Sequence, residues 1–122
     1  MYQSMNYGSY PIDMHYPSMG LLETIQHCAV TCEHMTSMLH KKGMLEARGE
    51  QLAHLRDCAD ICQLMVDYLA RGSVFSKSLA SICAYICEIC GNTCMQFPDE
   101  ASQKCARTCL NCAKACKEFA EY

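Results

Sequence analysis

Two runs of four cysteines in the last third of the chain share one spacing. They are Cys83, Cys87, Cys90 and Cys94, followed by Cys105, Cys109, Cys112 and Cys116. Each run advances in steps of four, three and four residues, which places its side chains on a single stripe of an α-helix. Two such stripes facing each other would form an interior lined with thiols. Deprotonated thiols are ligands for soft metal ions, so the spacing predicts metal binding.

Two earlier segments add one pair of cysteines each at the same helical spacing. Cys28 and Cys32 form the first pair, and Cys58 and Cys62 form the second. One or two buried cysteines would be ordinary core residues, but leucine would pack better at twelve such positions. We therefore treat all twelve cysteines as candidate metal ligands.

Three further residues near these stripes carry soft or borderline donor atoms. Met35 and Met65 continue the cysteine stripes, and His54 lies one turn before Cys58. Methionine in a stripe commonly fills the core, and a lone inward histidine is commonly hydrogen-bonded there. At the ends of a thiol-lined core the same side chains could also bind metal, so Met35, His54 and Met65 are additional candidate ligands.

The type of donor favours copper among the metals. Thiolates and thioethers together select Cu(I), with zinc and iron–sulfur clusters as competitors for thiolates alone. Zinc held by four buried thiolates leaves a net charge of about −2 at every site. Cu(I) ions that share bridging thiolates approach neutrality instead. The ferredoxin run C-x2-C-x2-C-x3-C-P is absent, because Met95 follows Cys94. We predict several bound Cu(I) ions, with a structural or storage zinc-thiolate protein as the alternative.

Enzyme chemistry finds little support in the sequence. No carboxylate lies on the stripes that the helices turn inward, and the sequence contains no recognisable Cys-His-Asp arrangement or glycine-rich phosphate loop. We therefore predict that the protein is not an enzyme. A thiol redox sensor is a second alternative, and it would need at least one accessible cysteine with a low pKa.

Length, charge and termini limit the remaining possibilities. The 122 residues fit one domain, and a net charge of −3 with scattered basic residues argues against a nucleic-acid partner. The N-terminus shows no export signal and no apolar run suffices for a membrane span, so we expect a cytoplasmic protein without a membrane partner. In a reducing compartment dense cysteine indicates metal rather than disulfides.

The residues between the cysteines predict four helices joined by short connections. Residues 1–20 read as an irregular tail rich in methionine and tyrosine, and residues 21–122 as a copper-binding four-helix-bundle domain. Amphipathic helices with short loops predict an all-α fold, an antiparallel up-down-up-down bundle with a cysteine-lined core. The predicted helices are Leu21 to Lys41, Leu45 to Ala70, a third capped by Ser73 and reaching Gln96, and a fourth capped by Asp99 and ending near Tyr122.

In an antiparallel helix pair, two residues equally far from the connecting turn lie at the same height. Applied to all three turns, this rule places the candidate ligands in levels along the bundle. The central level takes one cysteine from each helix: Cys28, Cys58, Cys87 and Cys109. The next level toward the first and third connections holds Cys32, Cys90, Cys105 and His54. The next level in the other direction holds Cys62, Cys83 and Cys112. At the two ends we expect Met35 to approach Cys94 and Met65 to approach Cys116.

Gly91 interrupts the first cysteine ladder between Cys90 and Cys94. A glycine inside a helix costs about 1 kcal/mol relative to alanine. We therefore interpret Gly91 as allowing a neighbouring helix or subunit to approach closely.

The sequence resembles the bacterial four-helix-bundle copper storage proteins, on motifs that occur in order along all four predicted helices. These motifs are the pair Cys28 and Cys32, the segment Arg56–Cys62, the turn Ala70–Ser73, and the ladders Cys83–Cys94 and Cys105–Cys116. The resemblance covers about residues 21–122. It implies a cytosolic bundle that stores Cu(I) on inward cysteines as a homo-oligomer, with a tetramer as one option. A copper-delivering chaperone or a small thiol is the expected exchange partner.

The first two helices are poorer in thiols than the last two. Family members with cysteine along all four helices would continue the ladder where this chain has Met35, Leu39 and Gln51. The resemblance therefore implies a smaller capacity here, with apolar or thioether ends to the ladder.

Overall fold

Four helices make up the fold of the described residues, which are 19–121 of this computed structural model. The helices are α1 (Met19–Lys41), α2 (Gly49–Ala70), α3 (Ser76–Met95) and α4 (Glu100–Glu121). No strand occurs within residues 19–121, so the predicted all-α class is confirmed. The first eighteen residues of the predicted tail lie outside the described part, while Met19 and Gly20 already belong to α1.

The helices form a closed ring in which each one packs against two others. α1 contacts α2, α2 contacts α3, α3 contacts α4, and α4 returns to α1. Short connections make sequential helices antiparallel neighbours. The predicted up-down-up-down bundle with a cysteine-rich core is therefore confirmed.

Two glycines end the first two helices. Gly43 and Gly72 have φ values of 69° and 63°, the left-handed region that glycine adopts without steric cost. After α1, the amide of Met44 donates to the carbonyl of Leu39 at 3.0 Å, and the amide of Gly43 donates to the carbonyl of His40 at 3.0 Å. These two hydrogen bonds satisfy carbonyl groups at the end of α1, and the chain then turns back toward α2.

α1 begins two residues before the predicted Leu21, and two further predicted helix starts also differ from the structure. α2 begins at Gly49 rather than Leu45, because residues 44–48 form a turn in which the amide of Arg48 donates to the carbonyl of Met44 at 3.0 Å. α3 begins at Ser76, and Ser73 does not cap it. The hydroxyl of Ser73 instead accepts from the amide of Phe75 at 3.1 Å, which closes the turn before the helix.

Asp99 caps α4 as predicted. Its Oδ2 accepts a hydrogen bond of 3.0 Å from the backbone amide of Ser102, three residues later in the chain. The carboxylate thereby satisfies one of the free amides at the start of the helix and places negative charge at the positive end of its dipole.

Gly91 allows α3 and α4 to lie unusually close together. A Cβ at this position would meet Leu110 Cγ at 2.7 Å and the carbonyl oxygen of Ala106 at 3.2 Å, both on α4. The neighbour that Gly91 admits is therefore another helix of the same chain. The two helices that carry the cysteine ladders are the ones brought together.

α3 is long and apolar enough to cross a membrane, with 20 residues and a mean hydropathy of 1.2. The sequence had led us to expect no such segment. Cysteine counts as strongly apolar on hydropathy scales, so the sulfur stripe raises the value. All four cysteines of α3 are buried in the bundle, as in any core helix, and core helices commonly pass the same test.

Candidate metal centre

All twelve cysteines lie in the core of the bundle and none forms a disulfide. Their exposed fractions are 0–1%. The burial follows from the sequence pattern, because steps of three and four keep a helical stripe turned to one side. Aliphatic side chains also fill the core, and the largest fully buried ones include Ile25, Leu55 and Leu69.

The predicted central level is present. The Sγ of Cys28 lies 3.8 Å from that of Cys58 and 3.9 Å from that of Cys109. The Sγ of Cys58 lies 3.5 Å from that of Cys87. Side chains from all four helices therefore meet at this height, as the mirrored turns predicted.

Contacts between levels are as short as contacts within them. Cys62 Sγ lies 3.5 Å from Cys87 Sγ, one level away, and 3.9 Å from both Cys83 Sγ and Cys112 Sγ. Cys32 Sγ lies 3.5 Å from Cys109 Sγ. Side chains of neighbouring helices interdigitate rather than stack in flat planes, which explains this staggering. The sulfurs thus form a continuous cluster instead of separate layers.

Two groups of four sulfurs are compact enough to hold one metal ion each. Within each group the sulfurs lie within 4.8 Å of one another. Both groups combine cysteines from adjacent levels, and both include Cys28. The first tetrad is Cys28, Cys62, Cys87 and Cys112, and the second tetrad is Cys28, Cys32, Cys58 and Cys109. The two candidate sites are therefore joined through a shared sulfur.

Sulfur contacts extend the cluster toward both ends. The Sγ of Cys90 lies 3.8 Å from that of Cys109, and the Sγ of Cys116 lies 3.8 Å from that of Cys83. A metal about 2.3 Å from each of three sulfurs holds those sulfurs about 4.0 Å apart. Separations of 3.5–3.9 Å between Sγ atoms therefore suit metal–thiolate bonding with little rearrangement.

The side-chain amide of Gln51 closes one end of the cluster, at a position where the sequence predicted only that the cysteine ladder stops. Gln51 is fully buried, and its Nε2 donates to Cys94 Sγ at 3.4 Å and to Ser102 Oγ at 3.0 Å. Gln51 lies four residues before Leu55 and seven before Cys58, so the stripe already indicated that it points inward. Its partner on α3 could not be read from that spacing.

The two methionines are buried in the same core. Met35 is 3% exposed and Met65 is fully buried, so both lie where the stripes predicted. Their approach to Cys94 and Cys116, and their role as ligands, stay predictions.

His54 makes a hydrogen bond to α3. Its Nδ1 lies 2.8 Å from Thr93 Oγ1, and the Thr93 hydroxyl donates to the carbonyl of Ile89 at 3.0 Å. Because that hydroxyl proton is used, Thr93 accepts from Nδ1–H of His54. His54 belongs to neither tetrad, and its role as a ligand stays a prediction.

Hydrogen bonds among the thiols lower the pKa values of some cysteines and raise those of others. Bonds with Cys109 and then Cys32 lower the pKa of Cys90 to about 6. The pKa of Cys94 is raised by its interactions with Cys105 and Cys90 and then by burial. Neighbouring thiols cannot all ionise together in a low-dielectric core, since each new thiolate repels the others. Metal binding must therefore displace protons from the cluster.

A closed four-helix bundle with a continuous buried thiol cluster defines a class of protein, the soft-metal-binding helical bundles. The family model described as copper storage protein matches residues 14–121. The chain belongs to the copper storage protein family.

Known relatives and solved structures agree with this assignment. A protein of Bacillus subtilis (strain 168) described as the uncharacterized cysteine-rich protein YhjQ is 32% identical over 99 residues, which cover 81% of this chain and 85% of that protein. The Cu(I)-bound copper storage protein BsCsp3 is 31% identical with a TM-score of 0.80, and the match covers 84% of this chain and 97% of that chain.

Two further structures share the fold. Apo copper storage protein 3 from Bacillus subtilis is 33% identical with a TM-score of 0.76, covering 85% of this chain and 99% of that one. The Nmul_A1745 protein from Nitrosospira multiformis is 29% identical with a TM-score of 0.76, covering 83% of this chain and 92% of that one.

Proposed function

We propose that this protein binds and stores several Cu(I) ions on the cysteines of its core, and that it does so without catalysing a reaction. The observation that carries the proposal is the continuity of the sulfur cluster. The two tetrads share Cys28, and short contacts between Sγ atoms extend the cluster to Cys90 in one direction and to Cys116 in the other. A continuous set of bridging thiolates suits many monovalent ions better than a few isolated ones.

Charge balance favours copper over zinc in this core. Both tetrads consist of buried cysteines, and each would keep a net charge of about −2 with one zinc ion. Cu(I) ions that share thiolates bring the ratio of positive to negative charge closer to one. The metal named with the structural neighbour BsCsp3 is also Cu(I), and the zinc alternative gains no comparable support.

The redox-sensor alternative conflicts with the burial of the thiols. A sensor cysteine must meet its oxidant, and the most exposed cysteine of the chain shows 1% of its surface. Buried thiols that contact one another are better suited to hold metal away from solvent. Storage, buffering and protection from free copper are therefore the proposed roles.

The twelve cysteines are the proposed ligands. If each Cu(I) used two unshared thiolates, the capacity would be about six ions, and bridging would raise it. Met35, Met65 and His54 are the proposed additional donors. Met35 and Met65 are buried in the core, and the bond from His54 to Thr93 uses Nδ1 rather than Nε2. We further propose a cytoplasmic homo-oligomer that exchanges copper with a chaperone or a small thiol.

Anaerobic titration of the fully reduced protein with Cu(I), against a chelator of known affinity, tests the proposal. We expect at least about six equivalents to bind before the chelator takes up copper. Binding of fewer than about three equivalents would contradict storage. A parallel titration with Zn(II) is the control, and preferential retention of zinc would support the structural zinc alternative instead.

A further inference from the structure

A buried polar network closes the end of the sulfur cluster that lies near the first and third connections. Its centre is Gln51, which is fully buried on α2. Gln51 Nε2 donates to Cys94 Sγ at 3.4 Å and to Ser102 Oγ at 3.0 Å. An amide therefore contacts the cluster at a position where a further thiol would have continued it.

The orientation of this amide is determined by Arg48. The Nη1 of Arg48 donates to Gln51 Oε1 at 2.9 Å, so the amide oxygen faces the guanidinium group and the amide NH2 group faces Cys94. Arg48 is itself held in place. Its Nη2 forms an ion pair of 3.0 Å with Asp99 Oδ1, and its guanidinium carbon lies 4.1 Å from the centre of the Phe97 ring.

The network places a hydrogen-bond donor where it would stabilise a metal-bound thiolate at Cys94. Sulfur is a weak acceptor when protonated, whereas hydrogen bonds to an ionised acceptor are roughly twice as strong as neutral ones. Gln51 provides a fixed N–H donor that cannot turn away without losing its bond to Arg48. A metal-bound thiolate at Cys94 would therefore be stabilised by a donor already in position, at no further cost in ordering.

We propose that Gln51 is a positioning residue for copper, which holds Cys94 as a terminal thiolate ligand and ends the chain of bridged sulfurs there. The inference rests on the proposed function. Cys90 precedes Cys94 by one turn on the same buried face of α3. Cys94 would therefore bind copper together with Cys90 on its inner side, while its outer side accepts the Gln51 amide. Arg48 acts through Gln51 and supplies positive charge near the same end.

The first test compares two glutamine variants of α2 in the copper titration. Gln51→Leu removes the donor at similar volume, and Gln63→Leu is the matched control, since Gln63 is exposed and bonds to Asp67. We expect Gln51→Leu to weaken the least tightly held copper by about 10- to 100-fold, the usual effect of losing a hydrogen bond to a metal ligand. Equal affinities in the two variants would overturn the proposal.

A second test asks whether the effect passes through Cys94. In a Cys94→Ser background the amide has no thiolate to stabilise, so adding Gln51→Leu should cause no further loss of copper affinity. The same loss in both backgrounds would show a general effect on the fold and would overturn the proposal.

A third measurement needs no variant. In 15N-labelled wild-type protein, we expect the side-chain amide resonance of Gln51 to shift as copper loads, because its acceptor becomes a metal-bound thiolate. An unmoved resonance in copper-loaded protein would overturn the positioning role alone. Wild-type protein that binds no copper would instead remove the proposed function, so the two failures are distinguishable.

Discussion

At the scale of single residues, the cysteines of the core are not equivalent. Cys28 belongs to both tetrads, and its Sγ contacts those of Cys58 and Cys109 within 3.9 Å. Cys116 lies at one end of the cluster, where its Sγ lies 3.8 Å from that of Cys83. A thiolate shared between ions supports more than one of them, so position in the cluster should determine how much capacity each residue supports.

Replacing Cys28 with serine should therefore lower copper capacity more than replacing Cys116 with serine. We expect a loss of about two equivalents for Cys28→Ser and about one or fewer for Cys116→Ser, because hydroxyl oxygen is a poor ligand for soft Cu(I). Anaerobic titration measures both, with circular dichroism to confirm that each variant is folded. Equal losses would indicate independent sites rather than a shared cluster.

At the scale of elements, the helix pair α3–α4 combines the cysteine ladders with the tightest packing in the bundle. Gly91 permits this approach, and α3 and α4 together carry eight of the twelve cysteines. Separation of these helices would move sulfurs on both of them. Contacts such as that between Cys90 and Cys109 therefore depend on a residue that offers no ligand atom.

Gly91→Val should destabilise the protein by about 1–3 kcal/mol, because the added methyl groups would press on Leu110 and on the Ala106 carbonyl. Gly49→Val is the matched control, since a Cβ at Gly49 meets nothing within 4 Å. Urea unfolding of the copper-free proteins measures the difference. Equal unfolding free energies for the two variants would contradict close α3–α4 packing.

The cap of α4 should make stability depend on pH. Burial opposes ionisation of Asp99, but hydrogen bonds from Ser102 and the nearby Arg48 outweigh it and lower the pKa of Asp99. The folded protein thus binds this proton less readily than the unfolded chain. The stabilisation is present above the ordinary pKa of about 4 and is lost as the pH falls through the lowered value.

Asp99→Asn keeps a capping oxygen but removes the charge, so the variant should lose less than about 1 kcal/mol at neutral pH. The difference from wild type should shrink as the pH falls below about 4, because Asp99 is then protonated first in the unfolded chain and, at lower pH, in the folded protein. Urea unfolding at pH 7 and pH 3 measures it. A difference that does not change with pH would show that the charge of Asp99 contributes nothing to stability.

Much of this architecture could be predicted from the sequence, because one periodicity determines which side of every helix is buried. The bundle, the central cysteine level and the Asp99 cap all follow from local spacing. The start of α2 at Gly49 could not, since the turn before it holds Arg48 against Asp99, 51 residues away. The bond from Gln51 to Cys94 has the same long-range origin, because no local rule specifies which side chain an inward amide meets.

At the scale of the whole molecule, we expect the fold to form without metal. The helices form a closed ring around a buried core that includes Ile25, Leu55 and Leu69 as well as the thiols, and reduced cysteine packs as a small apolar residue. Copper then adds stability to the extent that it binds the folded state more tightly than the unfolded chain. This distinguishes a storage protein from a small domain that folds around zinc.

The copper-free protein should accordingly keep its helical circular dichroism, and copper loading should raise its melting temperature. Ligand at 100 times its dissociation constant stabilises a one-site protein by about 2.7 kcal/mol, and several sites add to this. Thermal melts of reduced protein with and without Cu(I), and after chelation, measure the effect. Loss of helix on chelation would mean that the metal is structural.

The order in which the helices supply sulfur has a consequence for how the protein is made. Each tetrad contains Cys28 from α1 and one cysteine from α4, either Cys109 or Cys112. α1 and α4 must therefore meet before either tetrad is complete. A chain that ends before α4 offers thiols but neither tetrad. Both compact sites thus form only after α4 has been made and has packed against α1.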